Sequence, residues 1–97
     1  MNIYVKKDVL KAAIDRYGAT MQSVVAMEEC NELGQQIAKH IRGDGIHDNL
    51  VGEMADVLIC MYELCEMYDV TEEELQETID FKLSRLEKRM EADYEPE

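Results

Sequence analysis

The sequence predicts an all-α fold: a helical bundle of about four helices per chain, with a four-helix-bundle core completed by oligomerisation. The single proline, Pro96, lies at the end of the chain, and the five glycines leave long stretches without a helix breaker. Apolar residues recur at helical spacing in four stretches, and none alternates with the period of a strand. At 97 residues the chain is one domain, residues 1–97, and is short for burying its own core.

The first two helices are separated by a glycine. The first is predicted from about Lys7 to Tyr17 and ends at Gly18. The second is predicted from about Thr20 to Ile41 and ends in the RGDG turn, residues 42–45. Their apolar stripes contain Val9, Leu10, Ala13, Ile14 and Tyr17 in the first helix, and Val24, Val25, Met27, Leu33, Ile37 and Ile41 in the second.

The last two helices begin at polar capping residues. Asp48 is the predicted N-cap of the third helix, which ends around Asp69. Thr71 is predicted to cap the fourth, with Glu74 three residues later as in a capping box. Their stripes contain Leu50, Val57, Leu58, Met61, Leu64 and Cys65 in the third helix, and Leu75, Ile79, Leu83 and Leu86 in the fourth. Residues 92–97 are predicted to be a flexible acidic tail.

Charge and hydropathy exclude several classes of partner. The chain has 22 acidic and 10 basic residues and a net charge of −12, which would repel the phosphates of DNA or RNA. No apolar run approaches the roughly 20 residues of a membrane span, and the N-terminus lacks the apolar core of a signal peptide. We therefore expect a cytoplasmic protein that binds neither nucleic acid nor a membrane.

The cysteines and histidines are not predicted to form a metal or redox site. Cys30, Cys60 and Cys65 lack C-x-x-C spacing and lie within apolar-periodic helices, so we expect buried free thiols. His40 and His47 lie at the end of the second helix and in the turn before the third, where we expect surface or capping roles.

Two helices each direct a pair of carboxylates towards the predicted interior. Glu53 and Asp56 are three residues apart on the third helix, at or beside its apolar stripe. Glu29 and Glu32 have the same spacing on the second helix, where Glu29 is in line with the apolar stripe. Four ionised carboxylates inside a bundle need a compensating charge, and these two helices offer only Lys39 and Arg42, both at the far end of the second.

A divalent cation would supply that charge. Ligands that are all carboxylate oxygens favour Mg²⁺, with Mn²⁺ as a possible substitute, and Mg²⁺ held in this way leaves positions for water and substrate phosphates. The alternative is that these acids form an ordinary solvated face, as expected for Glu72, Glu73, Glu74 and Glu77 at the start of the fourth helix. Spacing alone leaves both interpretations open.

The order of the acidic motifs resembles a known superfamily. The sequence E-E-C-N-E at residues 28–32 is followed after 20 residues by E-M-A-D at residues 53–56. This pattern is similar to the E-x-x-E, spacer, E-x-x-D signature of the MazG-like all-α nucleoside triphosphate pyrophosphohydrolases, which include dimeric dUTPases and phosphoribosyl-ATP pyrophosphohydrolase. The similarity covers roughly residues 10–90. It implies an enzyme that hydrolyses a (deoxy)nucleoside triphosphate to the monophosphate and pyrophosphate.

The resemblance also implies roles for individual residues. It makes Glu29, Glu32, Glu53 and Asp56 the Mg²⁺ ligands, and Glu28 a residue that binds a second metal or positions the attacking water. Three further residues are candidates for substrate binding: Lys82, Arg85 and Gln22. Asp80 departs from the family, in which asparagine is common at that position. Lys82 and Arg85 can also be explained as bases that complement the dipole at a helix C-terminus.

Two further questions stay open at this point. The wide apolar arcs of the second and third helices indicate that a second chain covers them, and the family also forms such assemblies, so we expect a homodimer or homotetramer. The alternatives to nucleoside triphosphate hydrolysis are a non-catalytic oligomeric metal-binding or regulatory module, and phosphoribosyl-ATP hydrolysis. The nucleotide base and sugar are not predicted.

Overall fold

The structure is a computed structural model that describes residues 2–93. Its four helices are α1 (Lys7–Tyr17), α2 (Ala19–Arg42), α3 (His47–Met67) and α4 (Glu72–Ala92). The described residues contain no strand, so the predicted all-α fold with four helices is confirmed. The predicted acidic tail starts at the last residue of α4, and its residues 94–97 lie outside the described part of the chain.

Glycines with positive φ angles end the first two helices. Gly18 has φ +89°, and its N–H donates to the carbonyl oxygen of Ile14 at 2.8 Å. Gly43 has φ +88° in the left-handed region, and its N–H donates to the carbonyl oxygen of His40 at 3.2 Å. A residue with a side chain is strained at such φ angles, whereas glycine is not. The backbone freedom of glycine therefore explains why α1 and α2 end where the sequence predicts.

The predicted cap of α4 is confirmed and that of α3 is wrong. The Thr71 hydroxyl accepts from the N–H of Glu74 at 3.1 Å, and Oε2 of Glu74 accepts from the N–H of Thr71 at 3.0 Å. Helix α3 begins at His47, and its N-cap is Ile46, which offers no capping side chain. Asp48 therefore lies in the first turn of α3, where its charge still favours the helix dipole.

Helices α1, α2 and α3 pack against one another. Helices α2 and α3 are antiparallel, and the hydroxyls of Ser23 and Tyr68 lie 2.6 Å apart where α2 begins and α3 ends. Leu10, Ala26 and Cys60 are the only apolar residues that are fully buried among those described. The interior of one chain is therefore small.

Many residues of the predicted apolar stripes are exposed in the single chain. Three packed helices cover only part of each apolar arc, and α4 packs against none of them, so the rest of these arcs is left uncovered. The exposed members are Val9, Tyr17, Val24, Met27, Ile37, Ile41, Met61, Ile79, Leu83 and Leu86. The predicted completion of the core by oligomerisation stays a prediction, and one chain alone does not cover these residues.

Helix α4 lies apart from the other three. It makes no substantial packing contact with them, and Leu75 is its only residue that is not exposed. The Nζ atom of Lys7 and a carboxylate oxygen of Glu72 form an exposed ion pair at 3.3 Å, which joins the starts of α1 and α4. The radius of gyration is 17.0 Å, compared with about 13 Å for a compact chain of this length.

The four helices of the described residues were compared with the length and hydropathy of a membrane span. None of the four helices is long and apolar enough to cross a membrane.

Candidate metal centre

The candidate centre lies on the face of α2 that packs against α3. Gln22, Ala26, Glu29, Leu33 and Gln36 are buried or half-buried and follow one another at alternating intervals of four and three residues. This spacing places them on one side of the helix. Glu29 is thus held in the middle of the α2–α3 interface by the same periodicity that buries its neighbours.

Three carboxylates converge at this point. One carboxylate oxygen from each of Glu29, Glu53 and Asp56 lies within 4.8 Å of the other two. Adjacent ligand oxygens in an octahedral Mg²⁺ site are about 3 Å apart, so the three side chains would have to move closer together to bind the ion. Glu29 and Glu53 are half-buried and Asp56 is exposed, so the centre opens to solvent on the side of Asp56.

The fourth predicted ligand lies at the edge of the centre. Glu32 is exposed one turn after Glu29 and is not among the three converging residues, although its charge acts on Glu53. Glu28 is also exposed. The structure therefore brings together three of the four predicted ligands and leaves Glu32 and Glu28 on the rim.

Burial and mutual repulsion favour protonation of the inner carboxylates. Burial raises the pKa of Glu29 to about 7, with further contributions from contact with the Asp56 and Glu53 carboxyls. Burial is also the main reason that the pKa of Glu53 is raised; the adjacent Glu29 carboxyl opposes this effect, and the negative charge of Glu32 adds to it. The chain thus holds these acids together at an energetic cost.

The inner carboxylates also lack partners. The Oε2 atoms of Glu29 and Glu53 are buried and have no hydrogen-bond partner in the described part of the chain. The two ion pairs among residues 2–93 involve other residues, Lys7 with Glu72 and Arg42 with Asp44. Unpaired buried carboxylate oxygens are costly, and a hard divalent cation is a ligand that would satisfy them.

The predicted phosphate-binding bases are not part of this cluster in one chain. Lys82 and Arg85 are exposed on α4, which does not pack against α2 or α3. The Arg85 guanidinium carbon lies 5.9 Å from the centre of the Phe81 ring, a cation–π contact within α4. Asp80, the residue that departs from the family pattern, accepts a hydrogen bond from Gln76 at 3.0 Å.

Polar residues flank the carboxylates along the interface. Gln22, a predicted substrate-binding residue, is 9% exposed and lies seven residues before Glu29. Gln36 lies seven residues after Glu29, and its Oε1 atom is buried without a partner. Sequence reasoning missed Glu63, which is 7% exposed on α3 and whose pKa is raised by burial. The heptad spacing is a signal for Gln36, but Glu63 has no comparable local signal.

The cysteines and histidines lie outside the carboxylate cluster. Cys60 is buried and Cys65 is half-buried, but Cys30 is exposed, so the prediction of three buried thiols is wrong for Cys30. Burial, with the nearby charge of Glu63, raises the pKa of Cys60 to about 11. His40 and His47 are exposed as predicted, and Nδ1 of His40 lies 3.0 Å from the carbonyl oxygen of Gln36.

Comparisons with known proteins do not identify a family. No protein-family model matches the chain, and neither a curated protein nor a solved structure is significantly similar to it. The MazG-like resemblance and the functional roles drawn from it therefore stay predictions.

Proposed function

We propose that the chain is a cytoplasmic, Mg²⁺-dependent pyrophosphohydrolase that converts a (deoxy)nucleoside triphosphate to the monophosphate and pyrophosphate. The observation that carries this proposal is the convergence of Glu29, Glu53 and Asp56 from two consecutive helices. The ordered motifs that contain these residues resemble those of enzymes with this activity.

The donor set fits the proposed metal. Two of the three converging carboxylates carry buried, unpaired oxygens, and all the candidate ligand atoms are oxygens. Glu29, Glu53 and Asp56 would hold Mg²⁺ or Mn²⁺, with Glu32 completing the set from the rim. When bound, the cation would neutralise phosphate charge and lower the pKa of a coordinated water.

The exposures of the acids suggest a division of roles. Glu29 and Glu53 are half-buried within the α2–α3 interface, so they can fix the position of the cation. Asp56, Glu32 and Glu28 are exposed at the opening through which a polyphosphate would approach. In this arrangement Glu28 would accept a proton from the attacking water or hold that water in line with the phosphorus.

The remaining candidates would act on other parts of the substrate. Lys82 and Arg85 would stabilise the negative charge that develops on the departing pyrophosphate. Gln22 is buried on the same face of α2, two turns before Glu29, and its amide can donate hydrogen bonds to a nucleoside and accept them from it.

A hydrolysis screen with matched variants tests the proposal. Pyrophosphate release is measured for each common NTP and dNTP with Mg²⁺, using wild type, Glu53→Gln and Glu66→Gln. Both substitutions remove one carboxylate from α3, but only Glu53 belongs to the converging cluster. We expect Glu53→Gln to lower kcat/KM by at least about 100-fold and Glu66→Gln to retain most of it.

Other outcomes of the screen would replace the proposal. Equal pyrophosphate release by wild type and Glu53→Gln would exclude this centre as the active site. Turnover of phosphoribosyl-ATP but of no ordinary nucleotide would change the substrate within the same chemistry. Metal binding without turnover of any of these compounds would favour a non-catalytic module.

A further inference from the structure

A second pair of polar residues lies two helical turns from the carboxylate centre along the α2–α3 interface. On α2, Gln22 precedes Glu29 by seven residues, and on α3, Glu63 follows Asp56 by seven residues. The two helices are antiparallel, and Glu29 lies beside Asp56. These equal steps therefore bring Gln22 and Glu63 to the same level on the facing sides of the two helices. Their distance from the centre along the helix axis is about 10 Å.

The charges around Cys60 agree with this register. Cys60 lies one turn before Glu63 on α3. Burial is the main reason that its pKa is raised, and the negative charges of Glu63 and Glu29 add to the effect. Glu63 is therefore on the side of α3 that faces α2. Beyond it, the interface continues to Ser23 and Tyr68, whose hydroxyls lie 2.6 Å apart.

Both side chains of the pair are buried without a partner. Less than a tenth of Gln22 and of Glu63 is exposed. None of the side-chain hydrogen bonds and ion pairs within residues 2–93 involves either of them. Burial alone raises the pKa of Glu63, so no neighbouring base compensates for its charge. Its oxygens are not among the fully enclosed unpaired atoms of the described chain, so a ligand can reach them.

The chemistry of the pair selects the kind of ligand. An ionised carboxylate only accepts hydrogen bonds, whereas an amide both donates and accepts them. Glu63 therefore needs an N–H donor, and Gln22 can pair with a neighbouring donor or acceptor. Cytosine, adenine and guanine offer such an edge because each carries an exocyclic amino group. Uracil and thymine carry a carbonyl oxygen where cytosine has its amino group, and this oxygen would leave the buried carboxylate unpaired.

We infer that Glu63, together with Gln22, recognises the base of the nucleotide and selects a base with an exocyclic amino group over uracil and thymine. The identification of the ligand as a nucleotide rests on the proposed function; the burial of Glu63 and its lack of a partner do not. The separation of about 10 Å is comparable to the reach from a phosphate at the centre to the far edge of the base. Glu63 is thus a specificity-determining residue.

Hydrolysis of matched substrates tests the selectivity. In dCTP and dUTP, and in dATP and deoxyinosine triphosphate, an amino group of the base is replaced by a carbonyl. In at least one pair, we expect kcat/KM for the amino compound to be at least about 100-fold higher, because a site that hydrogen-bonds a substrate group rejects the analogue without it. Glu63→Gln supplies an N–H donor to the carbonyl, so it should lower this ratio at least about 10-fold.

A control variant and two results decide the outcome of this comparison. Glu66→Gln changes a half-buried glutamate on another side of α3 and should keep the ratio. Equal turnover within both pairs by wild type would overturn the inference and leave the proposed function standing. An unchanged ratio in a Glu63→Gln variant with wild-type helix content would also overturn it. The wild-type comparison decides even if the variant does not fold.

Binding of the monophosphates gives a result that does not depend on hydrolysis. The monophosphates of the same four nucleosides are titrated into wild type and Glu63→Gln with Mg²⁺ by isothermal titration calorimetry. In at least one pair, we expect the amino compound to bind wild type at least about 10-fold more tightly than its carbonyl analogue, and Glu63→Gln to lose this preference. Such selective binding, with no triphosphate hydrolysed, would support the inference and reject the proposed function. Equal binding within both pairs would overturn the inference.

Discussion

Mg²⁺ should displace protons from the carboxylate centre, because the metal and the proton compete for the same oxygens. The pKa of Glu29 is raised to about 7 by its burial and by its contacts with Asp56 and Glu53. A metal ligand must be deprotonated, so each binding event releases whatever proton the carboxyl carried before.

The number of protons released follows from the pKa. With a pKa of about 7, the Glu29 carboxyl binds about 0.9 proton at pH 6, about 0.5 at pH 7 and about 0.1 at pH 8. The pKa of Glu53 is also raised, so Glu53 can only add to the release. Without the cluster, an ordinary glutamate would be ionised throughout this range and Mg²⁺ would release almost no protons.

The same shift sets the sign of the effect of pH on stability. Because the folded pKa of Glu29 is above its ordinary value of 4.5, the folded state binds more protons than the unfolded state between pH 4.5 and 7. The metal-free protein should therefore lose stability as the pH rises through this window. The stabilisation by Mg²⁺ should be largest above pH 7, where protons no longer compete with the metal for the carboxylate oxygens.

Isothermal titration calorimetry measures the released protons. At each pH, Mg²⁺ is titrated in two buffers that differ in ionisation enthalpy, and the difference in observed heat gives the proton count. Glu29→Gln should abolish most of the release, and Glu63→Gln, which removes a buried carboxyl outside the cluster, should leave it unchanged. Mg²⁺ binding at pH 6 with heats that do not depend on the buffer would refute the argument from burial.

Three smaller predictions test the helices and thiols. Thr71→Ala should lower the free energy of unfolding by about 1 kcal/mol in urea titrations, because it breaks the capping box, and Thr71→Ser should not. Gly43→Ala should cost about 1 kcal/mol because of its left-handed backbone, whereas Gly34→Ala, inside α2 with no atom within 4 Å of the new methyl group, should stabilise by about 1 kcal/mol. Iodoacetamide at pH 8 should label exposed Cys30 quickly and spare Cys60, whose pKa is raised to about 11; equal labelling by peptide mass spectrometry would contradict the burial of Cys60.

The features predicted correctly depend on neighbouring residues. The capping box needs only Thr71 and Glu74, and the end of α1 needs only the backbone freedom of Gly18. The convergence of Glu29 with Glu53 and Asp56 follows from the angular positions of two adjacent helices, so helical periodicity was sufficient to predict it.

The features missed depend on packing between distant parts of the chain. Periodicity shows that a face is apolar, but it does not show whether the same chain or another covers it. Leu83 and Leu86 belong to the predicted apolar stripe of the fourth helix, and the structure of one chain leaves them exposed. The burial of Glu63 likewise arises from the tertiary arrangement, and the start of α3 was misplaced because its N-cap, Ile46, has no capping side chain.

The isolation of α4 also bears on how the chain folds. A helix of 21 residues with so few tertiary contacts is only marginally stable in water, and its capping box adds about 1 kcal/mol. Folding of α4 would then be coupled to any contact that covers its apolar stripe, because such a contact binds only the folded helix. Helix content by circular dichroism should accordingly be lower than that of four complete helices in a monomeric chain.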